Sequence, residues 1–296
     1  MLGGAICRTF GAAGHEVVAL DLPELDITDA ASAAAALDGA DWVVNCAAYT
    51  AVDAAETDEA RAFRVNAVGP AVLGRAARAA GARMVHLSTD YVFDGDATSP
   101  YAEDSALAPR SAYGRTKAAG EWAVRAECPD VLVVRTAWLY GPGGKNIVAT
   151  MARLAAAGGP VRFVDDQRGQ PTTTRDLARY IADLVATDVP GGTYHGTSEG
   201  ETTWFGLARA VFTLLGHDPE RVQPIGTADY PLPAVRPAYS VLGHDRSDAA
   251  GVARARRRGL RGKYRARRRC DNTRRARGIR ARRRAEARVE RVRRRR

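Results

Sequence analysis

Short β-branched runs alternate with alanine-rich stretches of helical length through the first half of the chain, and this alternation constrains the fold more than any other feature. Residues 16–21 (EVVALD), 42–47 (WVVNCA), 83–88 (RMVHLS) and 130–136 (DVLVVRT) read as buried strands, and residues 29–37, 56–80 and 113–128 as the helices between them. Parallel strands joined by crossover helices are covered on both faces, which is why they read as near-continuous apolar runs. The pattern predicts an α/β, doubly wound parallel sheet whose ligands lie beyond the carboxyl ends of its strands. Ser88, Thr89 and Asp90 follow one such strand directly, and residues 47–53 (AAYTAVD) follow another.

Such a sheet ordinarily begins with a strand, a glycine-rich turn and a helix whose N-terminus faces a pyrophosphate. This chain opens at Met1-Leu2-Gly3-Gly4, already in the expected turn. The first strand and the leading glycines are therefore expected to be missing, the alternative being a fold that begins with a helix. From residue 161 the elements shorten, and residues 161–246 are expected mainly to form a smaller substrate-binding lobe after a dinucleotide-binding domain at 1–160. The proline-rich stretch 230–237 (YPLPAVRP) reads as an extended loop.

Charge separates the remainder. Residues 247–296 hold 23 of the 44 Lys and Arg but only 4 of the 34 Asp and Glu, so they carry +19 while the preceding 246 residues carry −9. The overall +10 therefore describes neither part. The basic stretch lacks apolar periodicity and is expected to be a disordered, low-complexity tail, read as out-of-frame translation of GC-rich coding sequence. A genuine arginine arm is the alternative, and only that would bring nucleic acid in as a partner. Cys7, Cys46, Cys128 and Cys270 are scattered without metal-ligand spacing, so neither a zinc site nor a disulfide framework is expected, and the expected setting is the reduced cytoplasm. No stretch of eighteen uncharged apolar residues occurs, so no membrane partner is expected.

The chemistry resides in Tyr113-Gly114-Arg115-Thr116-Lys117, preceded by Ser88-Thr89-Asp90-Tyr91-Val92-Phe93-Asp94-Gly95. On a helix, four residues bring Tyr113 and Lys117 to one face. An ammonium there lowers the pKa of the phenol, making Tyr113 a proton donor suited to neutral pH while hydride reaches a carbonyl.

The ordered set MLGGAI, NCAAYTAVDAAE, STDYVFDG, SAYGRTKAAGE, RTAWLYGPGGKN, DDQRGQPT and RPAYSVL resembles the dTDP-4-dehydrorhamnose reductase family, extended short-chain dehydrogenase/reductases with a Rossmann-type fold, over roughly residues 1–245. The resemblance implies that Tyr113 protonates the 4-keto oxygen, Lys117 holds the nicotinamide ribose, and Thr89 hydrogen-bonds the carbonyl, unless Thr89 is simply a strand-end cap. It implies NADPH or NADH as cofactor, with Gly3, Asp21, Asp26, Ile27, Ala48, Tyr49 and Thr50 as further contacts; a solvated strand-end charge is the alternative for Asp21. Thr89, Asp90, Tyr91, Trp138 and Arg236 would meet a dTDP-sugar, Trp138 through an apolar face and Arg236 through the diphosphate, with core packing and a structural role as their alternatives. His195 reads as structural. No metal is expected, because glutamates that serve some relatives at a dimer contact have no match, notably at Ala5. A second copy of the chain, as a homodimer, is a further expected partner. The implied activity is reduction of dTDP-4-dehydro-β-L-rhamnose to dTDP-β-L-rhamnose. A reductase or epimerase of another nucleotide sugar, and a non-catalytic regulatory subunit on the same fold, stay open beside it.

Overall fold

Four parallel strands form the main sheet, and the two central ones carry apolar runs buried on both faces. The four are β1 (Trp42–Asn45), β2 (Arg83–Thr89), β3 (Leu132–Thr136) and the strand Gly192–His195, in that order across the sheet. Val85 pairs with Leu132 and Thr89 with Thr136, so β2 and β3 end side by side. The structure, a computed structural model, describes residues 1–253, and the basic stretch 254–296 lies outside the described residues.

Helices α1 (Leu2–Ala12), α2 (Ala30–Leu37), α3 (Glu59–Phe63), α4 (Gly69–Ala80) and α5 (Ala112–Glu127) come first in the chain. Helices α6 (Ile147–Ala157), α7 (Thr174–Ala186), α8 (Trp204–Leu214) and α9 (Asp245–Ala249) follow. Successive strand residues point to opposite faces, so Val85 and Val134 pack with Leu2, Phe10, Leu177 and Ile181 of α1 and α7. On the other face, Met84 and Val133 pack with Leu37, Leu73 and Val124 of α2, α4 and α5. Each such side chain contributes about 1.5–3 kcal/mol by leaving water. A separate core of Met151, Ala155, Leu207, Val211, Phe212 and Val222 joins α6 to α8.

Four expectations are corrected or refined. Residues 16–21, expected as a strand, run as irregular, exposed chain. Among the described residues no strand pairs with this segment, and apolar β-branched composition alone does not make a strand. The expected single helix at 56–80 is a 3-10 turn (Ala54–Glu56), α3, a π-helical turn (Arg64–Val68) and α4. Two elements from residues 161–246, α7 and the strand Gly192–His195, join the main sheet rather than the smaller lobe. The packed body also passes residue 246, because Ser247 is buried against the Tyr180 hydroxyl and Val252 lies in the core of α1 and α7.

The π-helical turn has an identifiable cause. Gly69 N–H reaches five residues back to the Arg64 carbonyl, and Pro70 has no N–H to offer the Asn66 carbonyl four residues before it. That carbonyl abuts α5 where Gly120 sits, and a Cβ on Gly120 would lie 2.0 Å from it. Gly120→Ala is therefore expected to destabilise by about 1–3 kcal/mol despite the helix preference for alanine. Gly11→Ala on α1, where a Cβ meets nothing within 4 Å, is expected to gain about 0.4–1 kcal/mol. Urea melts of the two variants check the opposite signs.

Candidate active site

The carboxyl ends of β1 and β2 meet the first turn of α5. Thr89 closes β2 and its Oγ1 caps the 3-10 turn Asp90–Val92 by accepting from Tyr91 N–H at 3.3 Å. The same hydroxyl donates to Asp90 Oδ1 at 2.8 Å and lies beside the Tyr113 phenol. Helix α5 starts where it does because two side chains satisfy its free N–H groups: Ser111 Oγ accepts from Gly114 at 3.1 Å and Glu56 Oε1 accepts from Ala112 at 2.8 Å. That start places Tyr113 in the first turn, where its ring packs with Tyr49 around Ala55, Ala62 and Ala112. The Tyr91 ring meets it edge-on, with centroids 5.6 Å apart at 75°. Lys117, one turn on and only 2% exposed, donates from Nζ to the Leu87 carbonyl at 2.6 Å.

Burial dominates the titration of all three ionisable groups. It pushes the Tyr113 phenol up to about 12; the neighbouring Thr89 hydroxyl pulls the other way and the Asp90 carboxylate adds to the rise. The expectation that Lys117 lowers this phenol is corrected, because the ammonium is bonded to the Leu87 carbonyl while desolvation acts on the tyrosine. Burial also brings Lys117 down to about 8, opposed by Glu121 one turn further along α5. Asp90 rises to about 6, again from burial, with the hydrogen bond from Thr89 resisting.

The structure brings Thr89, Asp90, Tyr91, Tyr113, Lys117 and Tyr49 together, with Ala48 and Thr50 on the same loop as Tyr49. Arg236 joins through Tyr91, its guanidinium 6.0 Å above that ring. Trp138 leaves the end of β3 in a left-handed backbone conformation, φ 45°, and stacks on Trp204 with centroids 3.5 Å apart. One of its faces is therefore covered by another indole. The residues expected at the adenosine end do not converge. Gly3 lies within α1 with nothing near its missing Cβ, so the close approach expected there is not what calls for a glycine. The Asp21 side chain is exposed and accepts from its neighbour Leu22 N–H, Asp26 bonds Thr28, and Ile27 packs on Gly69. The residues present thus fit the nicotinamide end of a dinucleotide and do not form its adenosine end.

Sequence reasoning missed Asn66 as the holder of the Tyr49 loop. Its amide accepts from Tyr49 N–H at 2.8 Å and donates to the Tyr49 carbonyl and to Thr116 Oγ1, both at 3.1 Å. The interruption of helical periodicity before Pro70 was the available signal. Glu121, bonded through both oxygens to Arg135 at 2.9 and 2.8 Å, was also missed. Beside the site, a cavity of about 670 Å³ is lined by Asp96, Asp165, Asp166 and Glu201 around one Arg168, a balance that opposes an anion. Among the described residues no group of three or more His, Cys, Asp or Glu is placed to hold a metal ion.

Residues 1–261 match the family described as RmlD substrate binding domain. A probable dTDP-4,6-dihydroxy-2-methyloxan-3-one 4-ketoreductase of Streptomyces antibioticus is 51% identical over 256 residues, 86% of this chain and 87% of the relative. A dTDP-4-dehydrorhamnose reductase of Streptomyces griseus is 50% identical over 259 residues, 85% of each. The crystal structure of the Bacillus anthracis dTDP-4-dehydrorhamnose reductase in complex with NADP superposes with a TM-score of 0.82 at 34% identity, covering 86% of this chain and 90% of that one.

Asp90 gives this site a stability signature. A carboxyl whose folded pKa is raised to about 6 contributes stability below its unfolded value near 4, and that stability is lost as pH rises towards 6. Relative to Asp90→Asn, the wild type is expected to lose about 3 kcal/mol between pH 4 and pH 7 and to change little above. Denaturant melts of both proteins across that range check it; a constant difference would refute the assignment.

Proposed function

The chain belongs to the family described as RmlD substrate binding domain, and from that membership we propose that it reduces dTDP-4-dehydro-β-L-rhamnose to dTDP-β-L-rhamnose with NADPH or NADH. The observation that carries the reading is the Thr89–Tyr113 hydroxyl pair at the carboxyl end of β2, with Lys117 one turn along α5. A bound reduced nicotinamide supplies the hydride. Lys117 would hold its ribose, and the loop of Ala48, Tyr49 and Thr50 would face its nicotinamide end.

As the sugar carbonyl becomes an alkoxide, negative charge develops on its oxygen. Hydroxyl donors fixed at that oxygen stabilise the transition state more than the ketone. Tyr113 keeps its proton throughout the neutral range because burial holds its pKa near 12, and an alkoxide is a strong enough base to take it. Thr89 orients the carbonyl from the other side. The Tyr49, Tyr91 and Tyr113 rings exclude water from this contact.

The Streptomyces antibioticus relative favours a second reading, reduction of a different dTDP-linked ketosugar by the same residues. Cys7, Cys46 and Cys128 are free thiols and no described helix is long and apolar enough to cross a membrane, in keeping with work in the reducing cytoplasm. We extend the reading to a homodimer.

The test is nicotinamide oxidation with dTDP-4-dehydrorhamnose and with other dTDP-4-ketosugars. Turnover with the first is expected, and Tyr113→Phe is expected to lower kcat by about 10²–10⁴-fold. Turnover only with another ketosugar selects the second reading, and binding without turnover of any sugar overturns both. Because Lys117 loses its proton near pH 8, kcat/KM is expected to fall as pH rises through that value. A profile flat from pH 7 to 9 would remove Lys117 from the mechanism.

A further inference from the structure

The proline-rich stretch 230–237 is held at one place by one carboxylate. Asp53 Oδ2 accepts from Arg236 Nη2 at 2.7 Å, and Asp53 Oδ1 accepts from Ala234 N–H at 3.2 Å. Pro231, Pro233 and Pro237 remove N–H donors and stiffen the segment, so these two contacts fix much of its course. Before them the strap is open to solvent, with Tyr230 and Leu232 exposed, and Val235, between the two contacts, is exposed as well. Beyond them the chain is pinned: Tyr239 N–H donates to the Gly95 carbonyl at 2.8 Å, and a Cβ on Gly95 would lie 2.5 Å from Pro237. Arg236 sits at this junction.

Its guanidinium is only half satisfied. Nη2 is taken by Asp53, whereas Nη1 is buried and has no hydrogen-bond acceptor among the described residues. A buried donor on a charged group is costly to leave unmatched, more so than a neutral one. The guanidinium lies over Tyr91, which in turn meets Tyr113, so Arg236 borders the active site. A planar fork with one edge occupied and the other free is suited to a phosphate oxygen.

We infer that Asp53 is a positioning residue for the sugar-nucleotide substrate: by holding the strap and one edge of Arg236, it aims the free Nη1 edge at the substrate's diphosphate. This rests on the reading of the substrate as a dTDP-sugar. Asp53 touches no reacting atom and acts through Arg236. It leaves Arg236 ordered before the substrate arrives, so less side-chain freedom is lost on binding.

The experiment measures KM for dTDP-4-dehydrorhamnose, the inhibition constant of dTDP and the dissociation constant of NADPH. It compares the wild type, Asp53→Asn, Asp53→Ala, Arg236→Ala and the double variant Asp53→Ala/Arg236→Ala, with circular dichroism to verify folding. Arg236→Ala is expected to raise KM and the dTDP constant about 30-fold, near the loss of one charged hydrogen bond. Asp53→Ala is expected to raise both about tenfold, and Asp53→Asn, which keeps an acceptor for Ala234, by less. The loss in kcat is expected to be smaller than the rise in KM, the NADPH constant to stay within twofold, and the double variant to match Arg236→Ala. Unchanged KM and dTDP constants in both Asp53 variants, multiplying losses in the double variant, or equal damage to NADPH binding overturn the inference. If the wild type binds dTDP and turns over while any of these is seen, only the inference falls. If the wild type binds no dTDP, the substrate reading falls and takes the inference with it.

Discussion

The buried ion pair between Glu121 on α5 and Arg135 on β3 is the contact on which the site's geometry depends. Both side chains are almost wholly enclosed, and removing two such charges from water costs several kcal/mol per ion. The pair survives because the remaining donors are matched as well. Arg135 Nη1 donates to the Glu103 carbonyl at 3.1 Å, and the guanidinium lies 5.0 Å above the Phe93 ring. One contact therefore sets the distance from α5 to the sheet and ties in both the loop at 103 and the segment after Thr89. Lys117 lies on α5 one turn before Glu121, so the same carboxylate opposes the desolvation that pulls its ammonium towards the neutral form.

Every group proposed to move or hold a proton sits where burial penalises its charge. Tyr113 and Asp90 are pushed up and Lys117 down, with desolvation as the leading cause in each. The exposed acids behave oppositely: Asp26 and Glu59 are held below the usual carboxylate range by hydrogen bonds. The contrast marks where the fold accepts a stability cost, as functional sites commonly do. For proton delivery the cost has a use. A phenol that does not ionise near neutrality carries its proton in essentially every molecule, and only a base as strong as the nascent alkoxide removes it.

What the sequence disclosed and what it hid follow from the range of the interactions. Tyr113 and Lys117 were legible because four residues on a helix is a local relation, and β2 and β3 because burial on both faces leaves a continuous apolar run. Residues 16–21 were misread because a strand exists only with a partner. Residues 56–80 were misread because the break before Pro70, which the sequence does carry, was passed over, while its fit against Gly120 lies far along the chain. Asp53, Asn66 and Glu121 are ordinary polar residues until Arg236, Tyr49 and Arg135 are placed beside them. The left-handed backbone of Trp138 had no local signal either, since nothing in its neighbours prescribes φ 45°.

Coupling in the site is uneven, and that bears on which interactions select the substrate. Around Asp21 and Asp26 the side-chain hydrogen bonds run only to residues one or two positions away, so no described polar network links them to the hydroxyl pair. On the other side, Asp53, Arg236, Tyr91 and Tyr113 form a continuous series of contacts from the proline-rich strap to the proton donor. A ligand that engages Arg236 presses on the ring that meets Tyr113 edge-on. Binding at the phosphate end and placement of the phenol are then mechanically linked. On the proposed role of Arg236, a sugar nucleotide that fails to satisfy it would lose alignment at the reacting oxygen as well as affinity, because packed side chains of this density do not shift independently.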